Sequence, residues 1–65
     1  MINLNKLEKE KEKLYNKIIK LDIFIEDDDF IEVEEVQRTL IVTQNNLMKM
    51  LFHVLEQRIY KIKNS

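Results

Sequence analysis

The chain has 65 residues, a mass of 8.0 kDa and a formal net charge of −1, which leaves room for a single domain over residues 1–65. It is 45% hydrophobic and 35% charged, which is too apolar for a disordered chain and too charged for a membrane span of roughly 18 apolar residues. The absence of Cys excludes disulfides and thiolate metal sites. Because the first residues lack the apolar core of a secretory signal, we expect a cytoplasmic protein.

The first predicted element is a helix over about residues 3–26. Apolar residues recur at alternating steps of three and four from Leu4 to Ile25, with one polar interruption at Lys11. After Leu14, apolar side chains also occupy the remaining faces. A helix that is apolar around most of its circumference has to be covered from more than one side.

An acidic run is the one place where the chain is expected to turn. Residues 26–29 read Glu-Asp-Asp-Asp, and Asp is a poor helix-interior residue and a good cap. Asp29 and Glu32 have the spacing of a capping box, which predicts a second helix over about residues 30–63. Glu34 offers a later start, with residues 30–33 as an irregular turn.

The second helix carries two apolar stripes, which imply two neighbouring surfaces. Gln44 lies within the first stripe and Phe52 lies beside the second. The first stripe comprises Val33, Val36 or Gln37, Leu40, Leu47, Leu51 and Val54, and the second comprises Ile41, Met48, Leu55, Ile59 and Ile62.

Chain length and apolar surface both predict self-assembly. A turn centred near residue 28 would place residue 2 opposite residue 54 and leave residues 57–65 without an intrachain neighbour. One seam between two helices also buries little apolar surface for a chain of this length. We therefore expect an all-α, antiparallel two-helix hairpin that assembles into a homo-oligomeric helical bundle, as a dimer or a larger even-numbered assembly.

The charges are distributed along a steep gradient. Residues 1–20 carry a net charge of +3, residues 21–36 carry −8 and residues 37–65 carry +4. The hairpin then has a basic open end and an acidic closed tip. Two interpretations stay open: the gradient keeps the protein solvated, or the basic end attracts an anionic ligand or the acidic tip of another molecule.

No arrangement of residues indicates catalysis, so we expect a protein that is not an enzyme and has no cofactor. His53 has Glu56 at the helical spacing i+3, but two side chains do not make a metal site. The three aspartates at 27–29 lack the alternating spacing and the glycine of a calcium loop. The small basic patch on a net-acidic chain disfavours nucleic-acid binding.

Gln44 and Arg58 are polar residues at positions where a minimal bundle would place Leu or Ile. Such residues require hydrogen-bond partners when buried. In one interpretation Gln44 fixes the helix register and Arg58 pairs with a carboxylate of a neighbouring protomer. In the other, Arg58, His53, Tyr60, Lys61 and Gln44 line an inter-protomer pocket for an anionic ligand.

Several segments together resemble a family of small tailed-phage and prophage helical-hairpin proteins first labelled from crAss-like phages. The segments are residues 21–25, Phe30, Val33, residues 40–44, Met48 and residues 55–59. The resemblance implies a phage origin and a helical hairpin. In architecture such a hairpin is similar to the anti-CBASS sponge proteins, which trap cyclic nucleotides between protomers.

From this resemblance we expect a phage counter-defence protein that sequesters a cyclic nucleotide or an ADP-ribose-type signal in the cytoplasm of an infected bacterium. One alternative is an inhibitor or adaptor that binds a host defence protein through Asp27, Asp28 and Asp29 at the acidic tip. Another is a structural or assembly protein.

Overall fold

The structure is a computed structural model that describes residues 3–65. The described part contains three helices and no strand: α1 spans Leu4–Glu26, a short 3-10 helix spans Asp28–Glu32, and α2 spans Glu35–Lys63. The two α-helices pack against each other in a rod of 47 × 17 × 16 Å. The predicted all-α hairpin is confirmed.

The first helix begins and ends at capping residues that can be read from the sequence. The side-chain oxygen of Asn3 accepts a hydrogen bond from the backbone N–H of Lys6 at 3.3 Å, which satisfies one of the free donors of the first turn. At the other end, Asp27 leaves the helical region of backbone space with ψ at 141°. Because no Gly or Pro interrupts the segment, the helix is continuous between these two points.

The turn differs from the expected capping box. Asp29 was expected to cap the second long helix. Instead, Asp27 caps the 3-10 helix, since its Oδ1 accepts the backbone N–H of Asp29 at 2.8 Å. The predicted start of the second helix near residue 30 is therefore wrong, and α2 begins at Glu35. Glu34 caps α2, because its carboxylate accepts the N–H of Gln37 at 3.2 Å. The later start that Glu34 offered is the correct one.

An aromatic contact holds the turn against α1. The ring of Phe30 meets the ring of Phe24 edge-on, with centroids 5.5 Å apart, and such pairs stabilise beyond the area they bury. Phe30 is half-buried, and this anchor keeps residues 28–32 folded over the end of α1. The same residues are for that reason not available to extend α2.

The core is a narrow layer between the two helices. Its centre is Leu55, which is 1% exposed, and the second stripe of α2 faces α1. The other buried apolar residues are Leu7, Leu14, Ile18 and Ile59, with Leu4, Met48, Phe52 and Ile62 packed against them.

Exposed ion pairs between the two helices show their register at both ends of the hairpin. Glu8 Oε1 lies 2.9 Å from Lys63 Nζ at the open end, and Asp22 Oδ1 lies 3.0 Å from Lys49 Nζ nearer the tip. The expectation that residues 57–65 lack an intrachain neighbour is wrong, since Ile59 is buried within these residues. The turn extends to Glu34, which brings the end of α2 level with the start of α1.

The hairpin leaves much of its apolar surface uncovered. Its accessible area is 5511 Å², whereas a compact folded chain of this mass has about 4,450 Å². The excess of roughly 1,000 Å² counts polar and apolar surface together, and it is similar in size to the ~800 Å² that each partner buries in an interface of standard size. Among residues 3–65, thirteen large apolar side chains are exposed: Tyr15, Ile19, Ile23, Phe24, Ile31, Val36, Leu40, Val42, Leu47, Met50, Leu51, Val54 and Tyr60.

Neither described helix is long and apolar enough to cross a lipid bilayer. This result agrees with the expectation from composition that the chain has no membrane span. Charged residues are spread along both helices rather than confined to their ends, and each one is costly in a hydrocarbon environment.

Candidate ligand-binding groove

A groove on the C-terminal half of α2 brings together three of the five residues predicted to bind a ligand. It is lined by His53, Arg58 and Lys61 together with Val54, Gln57 and Ile62, and its volume is about 530 Å³. That volume lies within the range of about 300–1,000 Å³ typical of small-molecule sites. Among residues 3–65, the residues that line the groove all lie on α2, so the described part of the groove has one wall and is open on the other side.

Helical spacing explains which residues share the groove. Arg58 and Lys61 are three positions apart and Val54 precedes Arg58 by four, so the three side chains follow one side of α2. Ile62 is half-buried and packs on the core, which gives the groove an apolar floor. His53 lies one turn earlier, at the edge.

The cations of the groove are available to a ligand. Within residues 3–65, neither Arg58 nor Lys61 forms an ion pair with another side chain. Both residues are exposed. An anionic group such as a phosphate could accept hydrogen bonds from the guanidinium fork, and an apolar or aromatic group could lie on Val54.

His53 is held by a neighbour on its own helix. Its Nδ1 lies 3.1 Å from Glu56 Oε1, and Glu56 Oε2 lies 3.8 Å from the ammonium nitrogen of Lys11 on α1. The imidazole is 75% exposed. The carboxylate of Glu56 therefore links the rim of the groove to α1 and orients the histidine ring.

The structure separates the other two predicted ligand-binding residues from the groove. Tyr60 follows Arg58 by two positions, which turns it to the other side of α2, where it is exposed. Gln44 precedes Arg58 by fourteen positions, or roughly 21 Å of helix. It is exposed and lies in grooves beside Leu47 and beside Phe24 instead.

The residues of the alternative protein-binding surface lie together at the closed tip. Asp27, Asp28 and Asp29 are all exposed. Asp27 also caps the 3-10 helix through its bond to the N–H of Asp29. Two of the three carboxylates, those of Asp28 and Asp29, are thus free of hydrogen bonds to other described residues and available to a basic surface.

A polar cluster between the helices was missed by the sequence analysis. Asn45 is 3% exposed, and its Nδ2 donates to Asp22 Oδ1, which also meets Lys49 Nζ at 3.0 Å. The hydrogen bond from Lys49, followed by that from Asn45, holds the pKa of Asp22 below its ordinary value. One feature of the sequence could have indicated this cluster: the polar residue Asn45 lies between Ile41 and Met48 in the otherwise apolar second stripe.

No group of three or more His, Asp or Glu side chains in residues 3–65 is placed to hold a metal ion. His53 has one nearby carboxylate, from Glu56, and that carboxylate also faces Lys11. The residues around the groove are therefore suited to hydrogen bonding and charge pairing with an organic anion.

Comparison with known protein families assigns the chain to a family. The family described as Sequestin matches residues 2–61, which covers the first helix, the turn and almost all of the second helix. The search of curated proteins gives no match, and no solved structure matches either. The expectation that the chain belongs to a family of small proteins is confirmed, and the phage origin stays a prediction.

Proposed function

The chain belongs to the Sequestin family, and from this premise we propose that it sequesters an anionic, nucleotide-derived signalling molecule in a phage-infected bacterial cell. The family name is consistent with a protein that holds a ligand. In this proposal the protein binds the signal without altering it and so withholds it from a host defence protein. The ligand is a cyclic nucleotide or an ADP-ribose derivative.

The observation that carries the proposal is the pair of cations, Arg58 and Lys61, over an apolar floor. Neither cation has an ion-pair partner within residues 3–65, and Val54 is 53% exposed beside them. A nucleotide combines phosphates, which suit the cations, with a flat base and ribose, which suit the floor.

The open side of the groove supports a homo-oligomeric site. A ligand lying on α2 alone would keep much of its surface in water, whereas tight sites bury most of the ligand. The hairpin has roughly 1,000 Å² more accessible surface than a compact chain of its mass. A second copy of the chain would cover this surface and supply the missing wall.

Thermal unfolding with a ligand panel tests the proposal. Cyclic mono- and dinucleotides, ADP-ribose, cyclic ADP-ribose derivatives and inorganic phosphate are each added to the purified protein. A ligand at 100 times its Kd is expected to stabilise the folded state by about 2.7 kcal/mol, which raises the Tm by roughly 10 °C or more. Recovery of the intact ligand after denaturation is the expected result for a protein that does not turn it over.

Variants test whether the groove is the binding site. Arg58→Ala is expected to weaken binding about 10- to 100-fold, because a charge-assisted hydrogen bond is lost, and Arg58→Lys is expected to recover part of it. Lys9→Ala on α1 is the matched control, since it removes one exposed cation that does not line the groove. A panel without any Tm shift, or equal losses for Arg58→Ala and Lys9→Ala, would overturn the proposal.

The acidic tip supports a second candidate function, binding to a basic surface of a host protein. Residues 26–35 contain seven acidic residues and no basic one, and Ile31 is 71% exposed among them. Asp28→Lys combined with Asp29→Lys leaves the capping residue Asp27 in place. Loss of counter-defence activity in this variant, with the ligand-induced Tm shift retained, would favour the tip over the groove.

A further inference from the structure

The first stripe of α2 is an uncovered apolar surface with the spacing of a helix–helix interface. Its apolar residues are 45% to 60% exposed. The steps between successive positions are three or four residues, as in the seam of a coiled coil. The exposed part of this stripe, extended by one turn to Arg58, is called the outer stripe below and comprises Val36, Leu40, Gln44, Leu47, Leu51, Val54 and Arg58.

The outer stripe lies on a different side of α2 from the core. At 3.6 residues per turn it is centred roughly 90° around the helix from the side that faces α1. Leu55 on the inner side is 1% exposed, whereas its neighbour Val54 on the outer stripe is 53% exposed. Two apolar sides at such an angle are typical of a helix that has two neighbours in a four-helix bundle.

We propose that two copies of the chain pack antiparallel through their outer stripes, with Leu40 of one copy against the partner's Leu51. The proposal takes from the proposed function only that a second copy supplies the missing wall of the groove. This register also sets Gln44 against the partner's Leu47, close to the two-fold axis, where the two Gln44 amides can hydrogen-bond to each other.

Charge selects the antiparallel orientation over the parallel one. The tip carries seven acidic residues between positions 26 and 35, and the other end of α2 carries Arg58, Lys61 and Lys63. Packed helices are about 8–10 Å apart, which is close to the screening length of about 8 Å at physiological salt. A parallel pair would bring two acidic tips together, whereas an antiparallel pair places each tip beside the partner's basic end.

The antiparallel register also completes the ligand groove. Arg58 of one copy lies beside the partner's Val33, so the second wall is the turn and the first residues of the partner's α2. The dimer has two such grooves, one at each end.

Single-cysteine variants test the orientation, because the natural chain has no Cys. Leu40→Cys and Leu51→Cys replace side chains that are exposed in the hairpin, so the hairpin itself is expected to fold. Under oxidising conditions each variant alone should stay uncrosslinked, and an equimolar mixture should give a disulfide-linked dimer. Dimers from Leu40→Cys alone would indicate parallel packing and overturn the proposal.

A charge introduced into the proposed interface gives a second, independent test of the dimer. Leu47→Asp is expected to convert the dimer to a folded, helical monomer in sedimentation velocity at micromolar concentration. Ile23→Asp, at a side chain of α1 that is 63% exposed, is the matched control and should stay dimeric. A monomeric natural chain, or dissociation by Ile23→Asp and not by Leu47→Asp, would contradict the proposal.

Both measurements are made without ligand, so the two proposals can fail separately. If the mixture of Leu40→Cys and Leu51→Cys crosslinks but no ligand raises the Tm, the antiparallel dimer is supported and the proposed sequestering function is contradicted. A Tm shift that depends on Arg58, together with parallel crosslinks, would retain the sequestering function and overturn the antiparallel packing.

Discussion

The ammonium nitrogen of Lys49 lies 3.0 Å from the Oδ1 of Asp22 and so joins α2 to α1 in the half of the hairpin that is nearer the turn. Asn45, buried on the same side of α2, donates to the same oxygen. These bonds favour the ionised carboxylate and lower the pKa of Asp22 in the folded state. The stabilisation is therefore present at neutral pH and is lost as the pH falls through the folded-state pKa of Asp22.

Asp22→Asn should make the stability of the protein less dependent on pH in the acid range. The natural chain is expected to lose stability from about pH 4 downward, since its unfolded state binds a proton there that the folded state resists. Urea titrations between pH 2 and pH 7 measure the free energy of unfolding for both proteins. Asp28→Asn, at the exposed tip, is the control, and identical acid slopes for Asp22→Asn and the natural chain would contradict the prediction.

Leu55→Ala should destabilise the hairpin far more than Leu51→Ala. Leu55 is 1% exposed and Leu51 is 45% exposed, and truncation of a buried Leu costs about 2–5 kcal/mol. Thermal and urea unfolding, followed by circular dichroism at the lowest practicable concentration, compare the two variants. If the outer stripe is an interface, the loss for Leu51→Ala grows with protein concentration while that for Leu55→Ala does not.

Glu34→Ser should stabilise α2. The carboxylate of Glu34 accepts the N–H of Gln37 at 3.2 Å, but Ser is preferred over a long side chain at the N-cap. We expect a gain of up to about 1 kcal/mol in the free energy of unfolding, measured by urea titration. The control is Glu32→Ser within the 3-10 helix, and a stability loss in Glu34→Ser alone would show that the longer carboxylate is the better cap here.

Ligand affinity should fall as salt is added. Arg58 and Lys61 are exposed cations, and their attraction to phosphates is screened over a shorter distance at high ionic strength. Calorimetric titration at 50 and 500 mM NaCl is expected to give a higher Kd at 500 mM, with a smaller change for Lys61→Ala. A Kd that is independent of salt would indicate that apolar contacts with Val54 and Ile62 dominate binding.

The hairpin could be predicted from the sequence because two heptad stripes and the absence of Gly and Pro permit few other structures. The start of α2 could not, because Asp27, Asp29 and Glu34 are all plausible caps. Which of these residues precedes α2 depends on the contact between Phe24 and Phe30, which is made only in the folded chain.

The candidate site was predictable to the extent that it follows from helical spacing. Arg58 and Lys61 share a side of α2 because they are three positions apart, whereas Tyr60 was included for its proximity in sequence and lies on the other side. Asn45 was missed because its partner, Asp22, is 23 positions away. That pairing depends on the register of the two helices, which was predicted from an incorrect turn.

The two sides of α2 have a consequence for how this protein can diverge. Its inner side packs against α1, and its outer stripe is the proposed contact with another copy, so substitutions along much of this helix affect one neighbour or the other. The N-terminal half of α1 is in contact with one neighbour only. Substitutions should therefore be tolerated unequally: the first turns of α1 should accept more of them than α2 does.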